Sequence, residues 1–289
     1  GIRDYKVTGV QTCALPISTA YSAATVALST TITAVNDAPV ATGSATLAAV
    51  DEDTPSPPGA TVSSLFGGNF SDSTDTVAGG STANSFIGVV VTGNAATAAQ
   101  GTWQWLNGST WTNIVTSLSD SSGLFLTTAT GIRFLPAANF NGAPGSLTVR
   151  LVDSSIAAPT NGSTQNVSTN GGTTAYSAAT VALSTTITAV NDAPVATGSA
   201  TLAAVDEDTS SPPGATVSSL FGGNFSDAAD QVAGGSSANT LAGVAISGYT
   251  ADSTKGVWQY SSNGTAWTTI GSVSVVTSAL SLKSTDLLR

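Results

Sequence analysis

The 289-residue chain contains no histidine, no methionine and one cysteine, and its 7 lysines and arginines face 17 acids. Without histidine, serine-hydrolase chemistry lacks its usual base. A single cysteine cannot form an intramolecular disulfide. The shortage of basic residues, with a sequence pI near 4.1, argues against nucleic acid, because phosphate binding needs clustered lysine and arginine. Charged residues are only 8% and aromatics 6%. That is too little charge for a solvated disordered chain, and a mean hydropathy of +0.22 points to burial. No apolar run reaches the roughly 18 residues of a membrane helix, so membrane insertion is not expected. Alanine, threonine, serine, glycine and valine fill what is left. The length suits about two domains of an acidic β-protein.

Residues 1–17, GIRDYKVTGVQTCALPI, resemble a translated short-read sequencing adapter over their whole length, and are set aside from fold reasoning. Cys13 lies inside this segment. The remainder therefore offers neither cysteine nor histidine, and soft metals are excluded. It holds 5 basic and 16 acidic residues. The lack of methionine fits a reading frame without its own start, and any signal peptide would lie upstream.

Internal repetition decides the domain reading. Residues 21–54 recur letter for letter as 176–209, and the match runs on through Asp72 and Asp227 with Pro55 against Ser210 as its one change. Beyond that the copies diverge but keep register: Asn84 with Asn239, Trp103 with Trp258, and, after one inserted residue, Trp111 with Trp267 and Arg133 with Arg289. The expected organisation is a strand of a preceding repeat at 18–36, a complete repeat at 37–191 and a truncated second repeat at 192–289.

The complete repeat reads as all-β. Val26, Leu28 and Ile32 alternate with small polar residues, and the same pattern returns at 181–190; Ile87, Val89 and Val91, then Leu147, Val149 and Leu151, alternate likewise. In TWQWLNGSTWTNI, Asn107-Gly108 predicts a hairpin turn between aromatic strands. Residues 64–66 fit one helical turn, and 154–172 read as a flexible loop. Antiparallel strands repeated in this way point to a β-sandwich.

Thirteen of the sixteen acids outside the adapter-like segment fall in a few recurring motifs: Asp37, Asp51, Glu52, Asp53, Asp72, Asp75 and Asp153, then Asp192, Asp206, Glu207, Asp208, Asp227 and Asp230. The basic residues lie in other segments. Carboxylates gathered without cations repel one another, and Ca²⁺, which takes six to eight oxygen ligands, neutralises such clusters. Solvated loop ends that keep a poorly charged protein soluble are the alternative.

NDAPV (36–40 and 191–195), DEDT (51–54 and 206–209), the FSD of NFSDSTD, and LPAANFNG followed by LTVRLVD together resemble bacterial cadherin-like tandem repeats of large secreted or surface-attached adhesins. The resemblance covers 18–289. It implies tandem Greek-key β-sandwich repeats of cadherin/Ig-like type, stiffened by Ca²⁺ at their junctions, outside the cell. The parent's other parts would meet a cell-surface or glycan receptor, and the partners of this stretch would be neighbouring repeats. Carried over residue by residue, it implies Asn191, Asp192, Glu207, Asp208, Asp227 and Asp230 as junction ligands. Asn36, Asp37, Glu52, Asp53, Asp72, Asp75 and Asp153 would serve the first junction and the sandwich ends. Asp72 and Asp75 are three apart, wider than the DxD of animal cadherins, which leaves ligand identity there open.

An enzyme is not expected: GxSxG and P-loop patterns are absent, and Glu52 and Glu207 occupy equivalent repeat positions. The tryptophans 103, 105, 111, 258 and 267 fit a hairpin core, with a carbohydrate-binding platform as the alternative function. An S-layer or matrix scaffold repeat is a further alternative. Because segment 21–35 duplicates 176–190, it is expected either to compete for that strand's place or to fill the open edge of the second repeat.

Overall fold

The computed structural model describes residues 24–275 and 278–289. The adapter-like segment, Cys13 and the start of the expected first strand lie outside the described residues. The chain divides after Ala34, and Val35–Arg289 form a unit of their own. The described part of the first unit carries no strand: Val26, Leu28 and Ile32 are 95%, 100% and 91% exposed. Their alternation predicted a strand, but an isolated strand leaves its N–H and C=O groups without an edge to bond.

In Val35–Arg289 strands dominate and the helices are single turns. The first repeat holds β1 (Val40–Ala41), β2 (Ala45–Thr46), β3 (Val50–Asp51), β4 (Ala60–Thr61), β5 (Phe70–Ser71), β6 (Phe86–Asn94) and β7 (Gly101–Asn107). It continues with β8 (Thr110–Asn113), β9 (Gly123–Thr127), β10 (Gly131–Pro136), β11 (Leu147–Asp153), β12 (Thr164–Gln165), β13 (Val181–Ser184) and β14 (Ile187–Thr188). The second repeat holds β15 (Val195–Ala196), β16 (Ala215–Thr216), β17 (Phe225–Ser226), β18 (Gly243–Ile246) and β19 (Gly248–Tyr249). After these come β20 (Gln259–Ser261), β21 (Thr268–Thr269), β22 (Val273–Ser274), β23 (Leu280–Lys283) and β24 (Leu287–Leu288).

A six-stranded sheet, in the order β12-β9-β6-β11-β13-β2, and a four-stranded sheet, β4-β10-β7-β8, carry the first repeat. Val89, Val91, Leu126, Leu147, Val149, Val181 and Leu183 from the first sheet meet Trp103, Trp105, Ile132 and Phe134 from the second in one buried cluster. Trp103 is fully buried, meets Phe134 edge-on at 5.1 Å and donates its indole N–H to Gly145 O at 2.8 Å. Its polar edge is thereby satisfied within an apolar core. β13 sits between β11, antiparallel, and β2, parallel; β14 pairs in parallel with β3.

Three local expectations are adjusted. The β7–β8 loop is Gly108-Ser109, one residue later than the Asn-Gly reading, because Asn107 pairs with Thr110 and only Gly108, at φ 63°, takes the left-handed conformation. The helical turn is α1 (Val62–Phe66), capped by Thr61, whose side chain accepts from Ser64 N; α2 (Val217–Phe221) repeats it with Thr216 and Ser219. The stretch 154–172 is not a free loop. It contains β12, and fully buried Val167 packs with Val90, Phe125 and Val152 on the outer face of the large sheet.

The second repeat preserves only part of this plan. Its sheets are β16-β24-β20-β21 and the pairs β18-β23, β19-β22 and β15-β17, around a smaller core of Val217, Ile270, Leu282 and Leu288. No helix among the described residues is long and apolar enough to cross a membrane.

Candidate cation site at the repeat junction

The DEDT motif of the first repeat turns at its end, and Asp53 takes φ 59° to make the turn. This points Glu52 inward: it is 3% exposed, accepts from Val190 N at 2.7 Å and from Asn141 Nδ2 at 3.0 Å. Asn141, itself 2% exposed, reaches across to the second repeat. It accepts from Ser236 N at 2.6 Å and donates to Ser236 Oγ at 2.8 Å. Ser236 Oγ in turn donates to Asp230 O. The approach is close enough that a Cβ on Gly235 would come within 2.1 Å of Asn141 Oδ1.

On the second-repeat side, Asp227 and Asp230 are buried at the two ends of a short 3-10 turn. Asp230 Oδ1 accepts from Asp192 N at 3.0 Å, and Asp227 Oδ2 accepts from Asn239 N. Asn239 Nδ2 also donates to Asn191 Oδ1 at 3.1 Å. Asp192 Oδ2 is buried without any hydrogen-bond partner. Burial, and then the charges of Asp53, Asp230, Glu52 and Asp227, push the Asp192 carboxyl above its ordinary value. Acids of both repeats therefore repel one another across the junction.

The same arrangement opens the first repeat. Asp75 Oδ1 accepts from Asp37 N at 2.8 Å, Asp72 Oδ2 accepts from Asn84 N, and Asn84 Nδ2 donates to Asn36 Oδ1 at 2.7 Å. Asp153, fully buried at the end of β11, joins them: its Oδ1 accepts from Ser155 N at 2.8 Å, while its Oδ2 and Asp72 Oδ1 have no partner. Burial, with Asp75 and Asp153 adding to it, raises the Asp72 carboxyl against the opposing Asn84 hydrogen bond.

The structure thus groups the predicted residues differently from the carried-over assignment. Glu52 and Asp53, not Glu207 and Asp208, lie with Asp192, Asp227 and Asp230. Glu207 and Asp208 are exposed. Acids face the junction from both sides, so DEDT of one repeat meets NDAPV of the next. Asn84, Asn141, Ser236 and Asn239 were not singled out as site residues. The in-register survival of Asn84 and Asn239 in diverging sequence, and the place of Asn141 in LPAANFNG, were the available signals.

The ion pairs among the described residues lie elsewhere, as Arg150–Asp120 at 2.7 Å and Lys255–Asp252 at 3.3 Å. Unpaired buried carboxylates are costly. Among the described residues, no three Asp, Glu, His or Cys side chains close on one metal-holding point. The donor set is nonetheless all oxygen, from carboxylates and Asn amides beside backbone carbonyls, and this chemistry suits a hard cation.

By fold and site, the chain is a β-rich protein most of whose buried acids gather at the starts of its two repeats. No protein-family model, curated protein or solved structure matches it.

Proposed function

We propose that the chain is a calcium-stabilised structural extender: tandem Greek-key β-sandwiches of cadherin/Ig-like type from a large bacterial surface or secreted adhesin. Its task outside the cell is to hold a distal binding domain away from the surface. The observation that carries this reading is Asp192, whose buried Oδ2 lacks any donor and which faces Asp53, Glu52, Asp227 and Asp230 from both repeats. Bound Ca²⁺ would neutralise these charges and draw the oxygens together. Glu52, Asp53 and Asp192 with Asp227 and Asp230 would hold one ion; Asn36, Asp37, Asp72, Asp75 and Asp153 would contribute to another.

The chain's own groups already set the junction. Asn141 clamps Ser236, and Glu52 fixes Val190 N, so the connecting peptide enters the second repeat at one angle. Supporting a mechanical over a sugar-binding role, Trp103 and Trp105 are buried, and the rings of Trp111 and Trp267 are stacked on Arg133 and Arg289 at 4.3 and 4.0 Å; Trp258, expected in the hairpin core, is instead 46% exposed.

Thermal melts of the full chain in millimolar Ca²⁺, Mg²⁺ and chelator test the reading. Ca²⁺ at about 100 times its Kd stabilises by about 2.7 kcal/mol, read as a rise of several degrees that Mg²⁺ does not reproduce. Identical melts in Ca²⁺ and chelator would end the calcium reading.

A further inference from the structure

We propose that Asn107 is a self-modification site, which loses its side-chain amide to attack by Gly108 N with water as the co-reactant. The other Asn-Gly pairs of the chain are held out of this reaction by hydrogen bonds. The chain contains five such pairs, beginning at Asn107, Asn141, Asn161, Asn170 and Asn263. The dipeptide is open to this chemistry because glycine puts no Cβ in the path to its own nitrogen. Gly108 N gives up its proton and bonds to Asn107 Cγ, the Cγ–Nδ2 bond breaks, and Nδ2 leaves with a proton as ammonia. Water then opens the resulting ring at either carbonyl. Opening at Cγ leaves aspartate. Opening at the main-chain carbonyl leaves isoaspartate, in which the main chain runs on through the side-chain carbons.

The glycine nitrogen separates the five pairs. Gly142 N donates to Ile187 O at 2.8 Å, Gly162 N to Phe125 O at 2.8 Å, and Gly171 N to Tyr176 O at 2.9 Å. Gly264 N donates to Ser261 Oγ at 2.9 Å. Each of these nitrogens must give up a hydrogen bond before it can lose its proton or turn toward the side chain. The neighbouring amides are held as well. Asn141 donates to Glu52 and Ser236, Asn161 Oδ1 accepts from Thr127 N and Thr130 Oγ1, and Asn170 donates to Val167 O. Among the described residues, neither Gly108 N nor the Asn107 side chain has a hydrogen-bond partner. Asn107 pairs with Thr110 to close the β7–β8 hairpin, and Gly108 and Ser109 stand exposed at its tip.

Asn263-Gly264 is the closest comparison, being the same position one repeat later. Both asparagines are exposed, the two glycines take φ 63° and 75°, and a Cβ on either would meet nothing within 4 Å. The hydrogen bonds differ. Asn263 Oδ1 accepts from Thr265 N, Thr265 Oγ1 and Ala266 N at 2.9, 3.0 and 2.8 Å. A side chain bonded to the backbone two residues on is fixed in its turn, whereas the tight hairpin leaves Asn107 loose. Conversion at Asn107 adds a carboxylate to a chain with 17 acids against 7 basic residues. As isoaspartate it also lengthens the main chain at the residue that closes onto β8, an outer strand of its sheet. The change is irreversible and needs no enzyme, so it records the age of each molecule.

The full chain, incubated in heavy-oxygen water at mildly alkaline pH, with and without strong guanidinium chloride, tests this by peptide mapping. In the folded chain Asn107 should take up heavy oxygen at least about tenfold faster than each of the other four, a barrier difference of about 1.4 kcal/mol. In guanidinium, where the folded hydrogen bonds are gone, the five should convert at similar rates. Isoaspartate should appear at position 107 by methyltransferase labelling. Asn107→Gln should melt as the unmodified chain does, since that side chain is exposed, and should lack the acidic species that isoelectric focusing shows in aged protein. Conversion of Asn263 as fast as Asn107 in the folded chain, a preference for Asn107 that persists in guanidinium, or acidic species undiminished in N107Q would each overturn the proposal.

Discussion

Residues 26–33 and 181–188 are the same eight letters with opposite fates. In the first place Leu28 is fully exposed and no strand forms; in the second Leu183 is fully buried between β11 and β2. The acidic motifs diverge likewise: Glu52 is buried at a junction, and Glu207, in an identical DEDT, is exposed. Alternation determines which side chains would share a face. It does not supply the neighbouring strand without which a β-segment has no hydrogen-bond partners.

The sharpest way to break this comparison is to make the same substitution in both copies. Leu183→Ala should cost about 2–5 kcal/mol, as for a large-to-small change in a closed core. Leu28→Ala should stay within about 0.5 kcal/mol. Denaturant melts of the two variants at low concentration measure the difference, and equal losses would mean that 26–33 is already packed in solution.

A second pair isolates the junction. Gly235→Ala drives a Cβ into Asn141 Oδ1, whereas the equivalent Gly80 meets nothing nearer than Val77 at 3.4 Å. The first should cost about 1–3 kcal/mol and separate the melting of the two repeats. Gly80→Ala should be near neutral. Asn141→Ala should uncouple the repeats as well, by about 1–3 kcal/mol, because it strands buried Glu52 and Ser236 N. Calorimetry resolving one transition or two is the readout.

Asp192→Asn should raise stability in chelator, by removing a buried charge that faces four others, and should reduce the response to Ca²⁺ to that of the Asp72, Asp75 and Asp153 group. Asp208→Asn, at an exposed copy of the motif, should change neither. Calcium titrations of both variants separate the two positions.

The smallest effect is in pH. Asp72 and Asp192 have folded-state values raised above the ordinary 3.8, so the folded state binds their protons more tightly than the unfolded one. Their contribution to stability is fully present below 3.8 and is lost as pH rises through the raised values. Metal-free protein should therefore melt higher as pH falls from 7 towards 4. Asp120, lowered by its hydrogen bonds to Arg150, has the opposite sign, and its contribution disappears only below 3.8. A flat or falling melting temperature across that window would show that the site acids are not desolvated.

Much of the site was legible because its residues recur as words: NDAPV, DEDT and FSD carry the acids that the structure brings together. Which word faces which was not legible. Within a repeat, NDAPV and DEDT lie at opposite ends, and only the end-to-end arrangement sets Glu52 beside Asp192. Asn141 was hidden for the same reason, since its partner Ser236 is 95 residues away in the next repeat. The β-rich character and the hairpin were readable from alternation and from Asn107-Gly108, which act within a few residues, and the helical turn was placed at 64–66 without the Thr61 cap that starts it at Val62.

By itself the sequence determined the acidic, oxygen-only donor chemistry, the duplication and the apolar faces of the strands, because these follow from residue type and period. Only the tertiary structure decided which copy of each duplicated segment is buried, which carboxylates share a junction and which oxygens are left without a donor. Burial and charge coupling are properties of neighbours. For identical segments, only the surrounding structure can make those neighbours differ.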